Sequence, residues 1–534
     1  MKFDAILECI GSFGTYQKRI LFSVCLVWLH CSFHQFGQVF LAANVDFWCT
    51  TSEFEELECP ASWNLTENRC SDAKYSFLAP SDGEGCSKFT NVTVDTFLSG
   101  GEPTDGWPVG SCHEWVYDTQ QYKSTIIQEW NLVCDDKTKP AIAQSIFFLG
   151  VLVGSFCIGA MADRLGRKPM FFASLATQCI FGFATSFSTS YAMFTCLRFV
   201  VGVANIGVFM NAYILCTEWV GPSYRKYVIV YSSTLWAVGQ MVLAFLAFLI
   251  PRWRILQLVI SLWGVVFLAL IPFTPESARW LIMEGRLKEA KAAIDKAAKT
   301  NCIKMTQNIF EDDADESNED QKPKGNNAIV GLFKTPNMRR KTLSLMFVWF
   351  VASFVYYGLS LSTSGLGVND YLAFFIGGAV IIPGRILLVF ALDIIGRRHS
   401  LFWSMLIGGI GCILTLWTPI GTWTITTAMI GKFCLSFAFS ALYVFSAELF
   451  PTPVRSTGLG LSSTSARVGG VIAPLILELQ RVWSPLPYLL FGCLSIAGGF
   501  LTLTLPETNG MQLPETLKEG EDFKLSNSRS NRIV

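Results

Sequence analysis

The sequence predicts an all-α membrane protein of twelve transmembrane helices in two six-helix halves, with a disulfide-rich extracellular loop. Three observations predict it. The 534-residue chain is 51% hydrophobic and 15% charged, with a mean hydropathy of +0.41, whereas a soluble chain carries about 25% charged residues. Its apolar residues gather into twelve runs, each long enough to cross a bilayer. Finally, three motif pairs recur at a nearly constant offset.

The apolar runs lie near 20–42, 141–162, 169–188, 191–216, 227–250, 254–274, 342–361, 371–395, 400–418, 423–446, 456–480 and 486–505. Lys and Arg orient them, because cytosolic loops retain cations. Lys18/Arg19, Arg164/Arg167/Lys168, Arg225/Lys226, Arg339/Arg340/Lys341, Arg397/Arg398 and Arg455 fall on alternate loops, which are therefore cytosolic. Arg252 and Arg254 break the rule on one short outer loop. An even number of spans leaves both termini in the cytosol. Residues 1–18 are mixed polar and the first apolar run is of span length, so no cleavable signal peptide is expected. The chain divides into a cytosolic N-terminus (1–19), a first span (20–42), an extracellular loop (43–140), the rest of the first half (141–274), a cytosolic linker (275–341), the second half (342–505) and a cytosolic tail (506–534).

The loop holds Cys49, Cys59, Cys70, Cys86, Cys112 and Cys134, an even number in an oxidising compartment. They read as three disulfides with fifteen possible pairings. Asn64 and Asn91 each head an Asn-X-Thr glycosylation sequon. In the linker, RLKEAKAAIDKAAK is a short amphipathic helix, and the acidic run 311–320 reads as a solvated segment. The polar tail after Pro506 reads as disordered.

The repeat ties the two halves together. Asp163-Arg-Leu-Gly-Arg recurs as Asp393-Ile-Ile-Gly-Arg. Glu218 and Arg225 bracket WVGPSY, as Glu448 and Arg455 bracket LFPTPV. Pro275-Glu-Ser recurs as Pro506-Glu-Thr. The offsets are 230, 230 and 231 residues. Parallel halves of this kind are the major facilitator arrangement. Its charges (Asp163, Arg164, Arg167, Glu218, Arg225, Asp393, Arg397, Glu448 and Arg455) read as gate and scaffold, making charge-assisted contacts at the cytosolic mouth that break as the halves rock.

Two cations stand apart. Arg385 and Arg467 lie inside apolar runs with no acid in any span interior. Arg467 is twelve residues beyond Arg455, so about 18 Å deep at 1.5 Å per residue, and Arg385 is about 12 Å deep on the same scale. A charge at that depth normally faces a partner or a watery cavity. Snorkelling and pairing with backbone carbonyls are the competing readings. If no acid neutralises them, an anionic substrate can, and Arg grips a planar carboxylate with its fork of donors. Arg198 and Lys432 open matching segments, RFVVG and KFCLS, which points to a role in the fold. Tyr213, Trp236, Trp349, Tyr356, Tyr357, Phe439 and Tyr443 lie on four helices, with Phe439 and Tyr443 on one face. They read either as packing or as a cage that stacks on flat substrate bodies and donates hydroxyls. His34 reads as a donor, a proton-sensitive switch or a satisfied helix contact. Net charge is zero, which gives no reason to expect a nucleic-acid partner. With four histidines, no metal-spaced cluster and no phosphate-binding loop, neither an enzyme nor a cofactor or metal is expected.

The six-cysteine loop, DRLGRK, TEWVGPSYR, PRWRILQL, TPESARWL, YYGLSL, SAELFPTPVRSTGLGL and LPETNG resemble solute carrier family 22, the organic ion transporters of the major facilitator superfamily, along essentially the whole chain. Arg467 sits where the organic anion branch carries Arg and the cation branch Asp; Arg385 sits where anion transporters carry Lys or Arg. His34, Gln35, Gln38, Tyr356 and Tyr357 are similar to that branch, which implies substrate contacts at His34 and Gln35 as well as at the two tyrosines, and TEWVGPS, GQMVLA, SARWLI and YYGLSL look closest to the urate and nicotinate exchangers. Carnitine transporters also keep Arg at the first position, so Arg385 carries the distinction from them. The resemblance places the aromatic positions at a central cavity. It implies a plasma-membrane carrier of organic anions, working by alternating access in a lipid bilayer and exchanging substrate against an intracellular carboxylate. A carnitine or organic cation carrier is the alternative.

Overall fold

The structure, a computed structural model, describes residues 3–55, 57, 75, 77–78, 85–99, 107–303, 325–362, 368–419, 421–511 and 513–523. Cys59, Cys70, Asn64 and the acidic run 311–320 lie outside them. Helices cover all twelve expected spans: Thr15–Leu41, Lys139–Leu165, Arg167–Thr185, Tyr191–Trp219, Arg225–Leu249, Trp253–Leu268, Pro336–Leu361, the pair Asp370–Ala379 and Ile381–Ile395, Arg397–Leu414, Thr422–Leu449, Arg455–Leu477 and Leu486–Thr502. Several begin earlier than their apolar runs. Cations such as Lys18, Arg339 and Arg397 occupy first turns, where a helix can leave the hydrocarbon without ending. The eighth span breaks after Ala379, whose carbonyl is the one that Pro383, lacking an N–H, cannot serve.

Phe40–Pro140 and Ile250–Trp253 form one compact unit, and the helical body forms another. In the first unit, Phe47–Thr50 pairs antiparallel with Glu114–Tyr117, and Ser87–Phe89 with Val109–Ser111. Disulfides Cys49–Cys112 and Cys86–Cys134 settle four of the six cysteines. Asn91 is exposed in a turn, as a glycan acceptor must be. The unit also takes in Arg252, whose backbone bridges to Ser124. Within the body, Arg254 donates to the carbonyls of Ser186 and Ser188, both at 2.7 Å, just past the end of the third span. Carbonyl capping thus occupies Arg254, the second of the two cations on a loop expected to be poor in them.

At the other end of the body the repeat becomes geometry. Arg167 meets Asp163 at 2.9 Å and Glu218 at 3.7 Å; Arg397 meets Glu448 at 3.1 Å and Asp393 at 3.8 Å. Glu276 caps the third span through the amides of Arg167 and Lys168, both at 3.1 Å, and Glu507 caps the ninth through Arg397 and Arg398 at 2.9 and 3.1 Å. Gly166 and Gly396, with φ of 104° and 88°, allow these turns, and a Cβ there would fall 2.5 and 2.7 Å from the capping carboxylates. The described ion pairs of this motif stay within one half. Arg225 reaches Asp4 at 2.8 Å, Arg455 donates to the Phe450 carbonyl at 3.2 Å, and Arg164 is exposed.

The tail departs from expectation. Residues 513–523 are ordered against the second half, with a helix at Leu517–Asp522. Glu521 accepts from Thr335 Oγ1 at 2.5 Å and from the amides of Asn337 and Met338 at 3.0 and 2.9 Å, capping the seventh span. Desolvation opposes its charge, but these donors and the Lys341 ammonium hold the carboxyl below the usual carboxylate range. The first half uses Asn301 in the same way: its Oδ1 accepts from the Tyr16 amide at 2.9 Å and its Nδ2 donates to the Ile10 carbonyl at 2.7 Å. Composition reads the tail as polar. Its order comes from capping a helix start rather than from burying an apolar face.

Candidate functional site

A cavity of about 160 Å³ lies between the two halves. Its walls are single helix stripes. The fifth span contributes Ile229, Ser232, Ser233 and Trp236, spaced i, i+3, i+4, i+7. The tenth contributes Phe439, Ser440 and Tyr443, the eleventh Ser463, Ala466 and Arg467, and the fourth Asn205, Ile206, Phe209 and Tyr213. Trp28 and Gln35 come from the first span, Phe148 and Val151 from the second, and Ser353, Tyr356 and Tyr357 from the seventh. Arg385 enters from the eighth, just beyond the Pro383 break.

The wall contains no Asp or Glu. Arg467 donates from Nη1 to Ser463 Oγ at 2.8 Å, one helical turn back, and its Nη2 lies 3.8 Å from Met210 Sδ. Arg385 donates from Nη1 to the Ser436 carbonyl at 3.1 Å, and its buried Nε has no partner among the described residues. Neither guanidinium meets a carboxylate among the described residues. One buried cation and one half-buried cation, held by a hydroxyl, a thioether and one carbonyl, leave several N–H donors for an occupant.

The remaining surface is aromatic and neutral-polar. Trp28 stacks on Phe209 at 4.0 Å, and Trp236 stands edge-on to Phe209 at 5.7 Å. Across the cavity, Tyr356 packs on Tyr357 at 5.3 Å and on Phe439 at 6.3 Å, and Tyr443 meets Phe439 at 5.8 Å. Gln35 accepts from Asn205 Nδ2 at 2.9 Å, and Asn205 Oδ1 accepts from Gln178 at 2.9 Å. These amides form the cavity end of a buried network. Behind it, Gln144 donates to the Gln35 carbonyl at 3.1 Å and accepts from Arg198 at 3.1 Å. Arg198 also donates to the His34 carbonyl at 3.0 Å and lies 4.4 Å from the Phe147 ring centre, so it serves the fold of the first half.

Nine of the expected contact residues line this cavity: Gln35, Tyr213, Trp236, Tyr356, Tyr357, Arg385, Phe439, Tyr443 and Arg467. Two expected ones do not. Trp349 is fully buried behind the wall, edge-on to Tyr443 at 4.5 Å, with its indole N–H donating to Ser446 Oγ at 2.9 Å. His34 is turned about 100° from Gln35 by the helix. It packs against His30 at 4.9 Å, where the Cβ of an alanine at position 182 would lie 3.0 Å from its ring. The sequence reading missed Trp28, Phe148, Phe209, Asn205 and the serines. Trp28 lies seven residues before Gln35 and Phe209 four before Tyr213; those spacings were the signal available.

The sequence profile of the family described as "Sugar (and other) transporter" matches residues 111–518. The chain is 42% identical to "Organic cation transporter protein" of Drosophila melanogaster, over 98% of this chain and 95% of the relative. It is 35% identical to "Solute carrier family 22 member 13" of Homo sapiens, over 97% and 93%. Among solved structures, the inward open conformation of the xylose transporter XylE from E. coli superposes with a TM-score of 0.58, at 14% identity, over 95% of this chain and 99% of that one.

Proposed function

Since the chain belongs to solute carrier family 22, within the sugar (and other) transporter family, it is a multi-pass secondary transporter of small organic solutes with the major facilitator fold, and we propose that its substrates are organic anions. One observation carries this reading: Arg385 and Arg467 enter a single cavity whose wall holds no carboxylate. At about 6 Å and an effective dielectric near 20, each guanidinium changes the energy of a unit charge by about 3 kcal/mol, favourably for an anion and unfavourably for a cation. In this proposal the substrate carboxylate or enolate sits against Arg467, Arg385 adds field, and the Trp28, Trp236, Tyr356 and Phe439 rings hold the flat body. Nicotinate, urate and p-aminohippurate have this chemistry.

The rest of the proposal follows alternating access. The halves rock about the cavity in the plasma membrane, with both termini cytosolic and the disulfide-bonded, glycosylated loop outside. The paired Arg167 and Arg397 clusters act as gate and scaffold on the cytosolic side. Exchange against an intracellular carboxylate drives uptake. A second reading, an organic cation or carnitine carrier, draws on the name of the 42% identical relative. It would have to place a cation in a cavity that two guanidiniums enter.

The deciding experiment is uptake of labelled nicotinate, urate, p-aminohippurate, carnitine and tetraethylammonium into cells expressing the protein. Preloading the cells with a dicarboxylate tests the exchange. Anion uptake accelerated by preloading supports the proposal; tetraethylammonium or carnitine uptake without anion uptake defeats it.

A further inference from the structure

We propose that Lys432 and Gln240 are positioning residues for recognition: together they aim the Tyr356 hydroxyl proton into the cavity, where it donates to the anionic head of the substrate. This inference rests on the organic-anion reading above. Lys432 lies on the tenth span, one turn from Ser436, and is fully buried. Among the described residues its ammonium donates to Gln240 Oε1 of the fifth span at 3.3 Å. The Phe374 ring lies 5.4 Å away, and a Cβ at Gly377 would approach Nζ to 2.8 Å, so the eighth span closes around it. Gln240 is also fully buried, and its Nε2 lies 3.2 Å from Tyr356 Oη.

Donor and acceptor chemistry then fixes the polarity from Lys432 to Tyr356. An ammonium donates and cannot accept, so it holds the amide oxygen of Gln240 toward itself. The Gln240 NH2 is thereby turned to Tyr356, and it can only donate. Tyr356 Oη must accept, and its own proton points elsewhere. Ser360, one turn further along the seventh span, gives its proton to the Tyr356 carbonyl at 2.7 Å. The Trp236 indole also reaches the Tyr356 hydroxyl and can only donate, so among the described residues Ser360 Oγ is the one neutral acceptor beside it. Tyr356 is a wall residue beside Arg385, and an anionic head in the cavity is a stronger acceptor for its proton than a neutral hydroxyl. A buried charge that touches no substrate thus sets the polarity of a group that does. Hydrogen-bonded chains of this kind polarise each member. The relay also crosses the molecule, from the second half through Gln240 of the first and back. Arg198, which opens the similar segment of the first half, makes its described hydrogen bonds inside its own half.

The test is uptake kinetics of labelled nicotinate, normalised to surface-biotinylated protein, for Tyr356→Phe, Gln240→Glu, Lys432→Met and the Tyr356→Phe/Lys432→Met and Tyr356→Phe/Gln240→Glu doubles. Tyr356→Phe is expected to raise KM about tenfold, the weight of one hydrogen bond to a charged group. Gln240→Glu keeps a partner for Lys432 but gives Tyr356 an acceptor, drawing its proton away; KM rises about as much at unchanged surface level. Neither Lys432→Met nor Gln240→Glu adds more than about twofold once Tyr356 is Phe, because both act through its hydroxyl. A wild-type KM for Gln240→Glu, or fully additive doubles, overturns the relay while leaving the anion reading intact. If Lys432→Met fails to reach the surface, the Gln240→Glu and Tyr356→Phe cycle decides alone. Absence of anion uptake by the wild type overturns both.

Discussion

Replacing Arg467 by Ala removes a cation whose hydrogen bonds among the described residues are one to Ser463 Oγ at 2.8 Å and one to Met210 Sδ at 3.8 Å. Among the described residues no buried acid is orphaned by the change, so the usual penalty for breaking a buried ion pair does not arise. Surface abundance is therefore expected to stay near wild type. Transport is a different matter. A carboxylate about 4 Å from the guanidinium gains about 4 kcal/mol at an effective dielectric near 20. Water entering the enlarged cavity restores part of that, leaving a net loss of about 3 kcal/mol. That corresponds to a drop of about 150-fold in kcat/KM. Arg467→Lys keeps the charge and loses the planar fork, and is expected to fall about tenfold. The assay is initial-rate uptake of labelled nicotinate over a concentration series, with surface biotinylation alongside. Arg467→Ala within about threefold of wild type at equal surface level would refute the reasoning, because the cavity would then bind its anion without its deepest charge.

Other expectations follow from the same geometry. Gly166→Ala and Gly396→Ala place a Cβ against Glu276 or Glu507 at positive φ, costing about 1–3 kcal/mol each; lowered thermal midpoints of purified protein check this, and unchanged midpoints count against it. Cys86→Ser opens a disulfide closing a 48-residue separation, with a loss of about 2–5 kcal/mol that reads out as reduced loop stability to proteolysis and reduced maturation. Glu521→Gln weakens the cap of the seventh span by about 1 kcal/mol, visible as a lower melting midpoint at pH 7. The Glu521 carboxyl lies below its ordinary range. Its contribution is therefore present above about pH 4.3, the unfolded value, and disappears as pH falls through the lowered folded value. The wild-type and Glu521→Gln midpoints should converge there.

Much of the architecture was legible because the bilayer makes composition speak. Twelve apolar runs predicted twelve helices, and the 230-residue offset predicted that Arg167 and Arg397 would occupy equivalent corners, as they do. The site was legible in part. Tyr443 and Phe439 share a face by spacing alone, but the rotation of the seventh span, which points Tyr356 into the cavity and Trp349 behind it, does not follow from spacing within that helix. Seven residues return a side chain to nearly the same face, and only the packing of Tyr443 and Phe439 over the Trp349 indole separates the two positions. The tail was misread for a related reason: Glu521 is ordered by three donors at a helix start that is remote in sequence.

Hydropathy, charge placement and repetition are properties of neighbours along the chain, and from them come the spans, the two halves, the paired motifs and the depth of Arg385 and Arg467. Which side chains meet across helices depends on rotation and approach, and a helix surrounded by other helices carries little of that in its own pattern. Folding therefore decided that both arginines open into one acid-free cavity, that His34 turns away from it, and that Lys432 reaches Gln240 of the opposite half instead of repeating the role of Arg198.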